Sequence, residues 1–187
     1  NRGGAYAATT FNWTELLVRK GYANLGPWGT RATPRRTGYE YNWALSGSVI
    51  GSVHNGGGPD AIASGQHTGI AAQVASGVVN TAWIQIGSND FATWNDTYDD
   101  IYDGSLTDQQ VQDKIDSILA NLATAVDTIR AAGSPRLVLT NIVDRGPSIA
   151  GAYPNAAGRA RVTAAIDEVN DGIAAIVAAR AGMVLYD

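Results

Sequence analysis

Apolar residues at Val111, Ile115, Ile118, Leu119, Leu122, Val126 and Ile129 recur every three or four positions and draw one stripe along a helix. Thr107 with Gln110 offers a capping box at its start, and Gly133 and Pro135 supply the stop. A second stripe through Val162, Ile166, Val169, Ile173, Ile176 and Val177 predicts a helix from about Asn155 that ends at Gly182. Its Gly158 and Gly172 each cost about 1 kcal/mol relative to alanine, so packing must hold this helix together. Further helices are expected over Phe11 to Arg19 and from about Thr68 to Ala75. Between them, Thr81 to Ile86, Arg136 to Ile142 and Gly182 to Tyr186 are short, nearly all-apolar runs, the pattern of strands covered on both faces. Tyr22 to Leu25 reads as a weaker strand. Helices alternating with buried strands predict an α/β fold with a parallel sheet, ligands sitting beyond the carboxyl ends of the strands. The three later strands should be adjacent and parallel, with the two long helices as right-handed crossovers.

The chain has 187 residues, with no internal repeat and no linker, and reads as one domain over residues 1–187. No apolar run approaches the ~20 residues that a membrane helix needs. Acids outnumber bases 17 to 13 and the only lysines are Lys20 and Lys114, so no basic stripe is available for nucleic acid. The absence of cysteine excludes disulfides, a thiol nucleophile and cysteine-ligated metal. Scarce lysine with abundant Gly, Thr, Asn and Trp suits a secreted bacterial protein.

Polar chemistry concentrates where Thr81 to Ile86 runs into Gly87-Ser88-Asn89-Asp90, at the carboxyl end of a buried strand. Alone, such a tetrapeptide is equally an ordinary turn or an Asx-type cap. A second segment, Asn42-Trp43-Ala44-Leu45-Ser46-Gly47, precedes it at a distance that fits one helix and one strand. Other motifs fail. Gly56-Gly57-Gly58-Pro59 is not a dinucleotide loop, and neither lysine follows a phosphate loop. A calcium loop counted from Asp99 has Asp103 and Gly104 in place but Ile101 where an oxygen ligand belongs. Phe91, Trp94, Tyr98 and Tyr102 follow the Asn-Asp pair and belong either to a solvated loop or to the wall of a cleft. His54 and His67 read as solvated loop histidines.

Together the two polar segments resemble the second and third sequence blocks of the SGNH (GDSL-type) hydrolases. Arg35 to Gly47, the Gly65-to-Gly69 stretch and Trp83 to Phe91 also resemble the local wording of secreted bacterial esterases and lipases in that family. The resemblance implies a flavodoxin-like three-layer α/β/α sandwich. It implies an oxyanion hole made by the Gly47 backbone N–H and the Asn89 side-chain amide, with Ser46, Ser88 and Trp94 as substrate contacts. The residue types suit the role: glycine lets the backbone approach a substrate, and asparagine is a donor that does not titrate. Asn42 and Asp90 are expected to brace the two loops. The family's Gly-Asp-Ser nucleophile block does not occur in the chain. Its Asp-x-x-His block does not either, since Gly51 and Ser64 stand three residues before His54 and His67. The domain is therefore expected to be truncated at both ends, with the first strand and its serine ahead of Asn1 and the histidine after Asp187. The missing strand would leave a gap between Tyr22 to Leu25 and Thr81 to Ile86. The implied activity is serine-dependent hydrolysis of short acyl esters, those on carbohydrate included, without cofactor or metal, and residues 1–187 alone are expected to be inert. A rival from another class is a non-catalytic module on the same fold, stacking carbohydrate on Trp28, Tyr39, Tyr41, Trp43 and Trp94.

Overall fold

The computed structural model describes residues 10–33, 35, 37–51, 57–133 and 135–187. These form two compact units, Asn1–Asn42 and Trp43–Asp187, which divide inside the Asn42-to-Gly47 segment.

In the first unit, α1 (Trp13–Arg19) starts on a capping box in which Asn12 and Glu15 satisfy each other's backbone N–H. The expected strand at Tyr22 to Leu25 does not form. The Asn24 side chain accepts from the Gly26 N–H at 2.9 Å, and this local turn withdraws the segment from ladder pairing. The strands here are instead β1 (Trp28–Gly29) and β2 (Gly38–Tyr39), a short antiparallel pair with Trp28 opposite Tyr39. With no strand at Tyr22 to Leu25, the expected gap between two parallel edges lacks its first edge.

The second unit is α/β. In chain order it holds α2 (Gln66–Ala75), β3 (Thr81–Ile84), α3 (Thr97–Asp103), α4 (Asp108–Ala131), β4 (Arg136–Thr140), α5 (Ala156–Ala178) and β5 (Met183–Tyr186). The three strands are parallel in the order β3-β4-β5, with Trp83 beside Val138 and Val138 beside Val184. Thr107 caps α4 with the expected box, and Asn155 caps α5 by accepting from the Ala157 and Gly158 N–H groups. β3 and β4 end before their apolar runs do, at Ile84 and Thr140. After β4 the Asn170 side chain of α5 takes over both ladder roles, donating to the Ile142 carbonyl and accepting from its N–H.

Two right-handed crossovers that advance in one direction place their helices on the same face of a sheet. Ala82, Leu137 and Leu139 accordingly face a core built from Ile115, Ile118, Leu122, Val126 and Ile129 of α4 and Val162, Ile166, Val169 and Ile173 of α5. The expectation of strands covered on both faces is corrected, because the opposite face leaves Trp83, Val184 and Tyr186 at 44%, 57% and 60% exposure. The Trp83 and Tyr186 rings meet across β4 at 5.5 Å between centroids. The two glycines of α5 are explained by close packing. A Cβ at Gly158 would lie 2.6 Å from the Tyr102 ring and 2.8 Å from the Tyr102 carbonyl, and one at Gly172 would lie 2.4 Å from a Leu119 methyl.

Candidate functional site

Beyond the carboxyl end of β3 the chain turns at Gly87, whose φ of 106° disfavours any other residue and where an added Cβ would lie 2.6 Å from the Ile142 side chain. A short 3-10 turn, Ser88–Phe91, follows and carries Asn89 and Asp90. Asn89 is half-buried, and its Nδ2 donates to the Ser48 carbonyl at 2.9 Å, one residue past Gly47. The Asn89 carbonyl accepts in turn from Asn95 Nδ2. Both loops singled out in the sequence are therefore joined directly.

Asp90 makes the second joint. It is fully buried and accepts from the Ile50 N–H at 3.0 Å and the Gly51 N–H at 2.7 Å. Lys114 Nζ, equally buried, lies 3.9 Å from the same carboxylate. Burial pushes Asp90 above the usual carboxylate range, against the pull of the backbone N–H groups and Lys114, and burial likewise pushes Lys114 below the usual lysine range. Two turns along α4, Asn121 Nδ2 donates to the Ile50 carbonyl at 2.6 Å. One helix face thus grips Ile50 and Gly51, and the bracing role expected of Asp90 matches this geometry. Asn42 lies in the other unit.

The two loops border a cavity of about 350 Å³. Leu45 and Ser48 line it from one side, Gln85, Ser88 and Asn89 from another, and Gln66, Val143 and Arg145 close it. Gln66 Nε2 donates to Ser48 Oγ at 2.8 Å. Of the residues expected at the site, Ser88 and Asn89 line the cavity, while Ser46, Gly47 and Trp94 do not. Gly47 has φ 81°, and its N–H has no hydrogen-bond partner among the described residues. Ser46 is exposed. Trp94 is half exposed, with its ring edge against Gly58, and Gly58 in turn lies against the Gly47 carbonyl.

The other aromatics lead elsewhere. Phe91, Tyr98 and Tyr102 are buried, forming neither a solvated loop nor a cleft wall. Tyr98 and Tyr102 cluster with Tyr153, whose phenol donates to Asp99 at 2.5 Å and is pushed up to about 12 by that bond. Trp43 packs on the Gly69 backbone and donates its indole N–H to Gln73 at 2.9 Å, so its ring is committed to α2. The calcium loop counted from Asp99 would begin inside helix α3, which holds Asp99 to Asp103. His67 lies in the first turn of α2, half-buried with Nδ1 shielded from solvent, rather than in a solvated loop. His54 and Gly56 lie outside the described residues.

Sequence reasoning missed Lys114, Asn121, Gln66, Gln85 and Arg145. Lys114 carried a signal, since it interrupts the buried stripe between Val111 and Ile118 at helical spacing. Gln66 and Arg145 carried none, because tertiary folding alone brings them together. No protein-family model matches the chain, and no curated protein or solved structure matches it.

Proposed function

We propose that the cavity is the oxyanion-binding site of a serine ester hydrolase of the SGNH (GDSL) type, acting on short acyl esters, with the parallel sheet forming the centre of a flavodoxin-like three-layer sandwich. The observation that carries the reading is the bond from Asn89 Nδ2 to the Ser48 carbonyl, which sets the side-chain amide beside the turn at Gly47 on the rim of a polar cavity. A neutral amide and a backbone N–H held before the reaction begins can stabilise the charge that develops on an acyl oxygen without reorganising. Asp90, clamped by Lys114, holds the two loops at fixed separation. No histidine lines the cavity among the described residues, so a histidine base would have to come from outside this lining. The order of the two motifs, and their meeting at the carboxyl end of a parallel strand, further supports the reading.

The full product of the gene should hydrolyse p-nitrophenyl acetate. Asn89→Ala should lower kcat roughly 10²–10³-fold while the circular dichroism spectrum stays unchanged. Turnover that survives the substitution, or a loss that merely tracks unfolding, would overturn the assignment of Asn89 as an oxyanion donor.

A further inference from the structure

The charge at the cavity is one-sided. None of its lining residues is acidic, and Arg145, just past the end of β4, is exposed at its edge. Asp144, its neighbour, is not paired with it: that carboxylate is turned to the Gly146 N–H and Thr163 Oγ1, each at 2.7 Å. Most arginines of this unit have partners. Arg159 and Arg161 donate to backbone carbonyls, Arg130 donates to the Ala181 carbonyl, and Arg180 pairs with Asp127. The Arg145 guanidinium has neither a hydrogen bond nor an ion pair among the described residues. Gln85, on the side that carries Asn89, adds an amide to the cavity.

We propose that the substrate is an acyl ester that also carries an anionic group, with Arg145 as the counter-ion, an inference that rests on the ester-hydrolase reading of the same cavity. Asn89 takes the ester carbonyl at one end, and Arg145 takes a carboxylate at the other. A guanidinium can meet a carboxylate with two parallel N–H bonds, so it selects for shape as well as charge. About 350 Å³ is room for a small dicarboxylic monoester.

The test is a nuclear magnetic resonance titration with two probes, monomethyl glutarate and dimethyl glutarate, following the Asn89 side-chain amide. The monoester should bind roughly 10-fold more tightly than the diester, as expected of a charge-assisted bond. The preference should fall to near unity in Arg145→Gln and persist in Arg136→Gln, which removes a charge at the amino end of the same strand. If both probes shift the Asn89 amide with equal affinity, or if Arg145→Gln keeps the preference, the anion proposal is overturned while the ester site stands. If neither probe moves that amide, the ester reading fails and this proposal fails with it.

Discussion

A buried lysine and a buried aspartate on two different elements decide whether the candidate site keeps its shape. Removing one partner of such a pair leaves an uncompensated charge in the interior and typically costs ~3–5 kcal/mol. Lys114→Met should therefore be strongly destabilising at pH 8. Asp90 is held above its ordinary pKa by burial, so its contribution to stability is present at low pH and is lost as pH rises through the raised value. The Lys114→Met deficit, measured by denaturant midpoint, should accordingly shrink towards pH 4, where Asp90 takes up a proton. A deficit that is constant from pH 4 to pH 8 would mean that Asp90 is not the charge Lys114 compensates. At this scale the meeting of the two loops at Asn89 and Asp90 was legible, because both residues sit in one short motif at a strand end. Arg145, Gln66 and Gln85 were not legible: each reaches the cavity from a separate segment, and no local pattern marks them.

Among elements, the starts of the long helices at Thr107 and Asn155 were legible, since stripes and caps are local properties of the chain, whereas α5 ends at Ala178, short of the expected Gly182. The Tyr22 to Leu25 strand was misread because apolar content suggested a strand where an asparagine-led turn prevails. Coverage of both sheet faces was misread because apolar runs do not reveal on which side the crossovers pack. The glycines of α5 give this scale its prediction. Alanine at Gly172 meets the Leu119 side chain first, which can move, and the helix-propensity gain of about 1 kcal/mol offsets much of the contact. Alanine at Gly158 meets an aromatic ring and a backbone carbonyl, which cannot yield cheaply, so overpacking should cost ~1–3 kcal/mol. Thermal unfolding should show Gly158→Ala clearly less stable than Gly172→Ala. The reverse order would mean that α3 and α5 are not packed as described.

For the molecule as a whole, the α/β class and the parallel order of the three later strands were legible from alternation alone, while the boundary between the two units was not, since it falls inside a motif rather than at a linker. On the proposed ester-hydrolase reading, the turn at Gly47 and the side chain of Asn89 serve a single oxygen. Two groups that bind one anion must report one binding constant. The most direct measurement is a titration of the labelled protein with methyl methylphosphonate, a tetrahedral anion, following the Gly47 backbone amide and the Asn89 side-chain amide together. The two resonances should move in parallel and saturate with the same Kd, and the Gly47 response should vanish in Asn89→Ala while the rest of the spectrum is preserved. Movement of one without the other, or saturation at different concentrations, would contradict a shared oxyanion site.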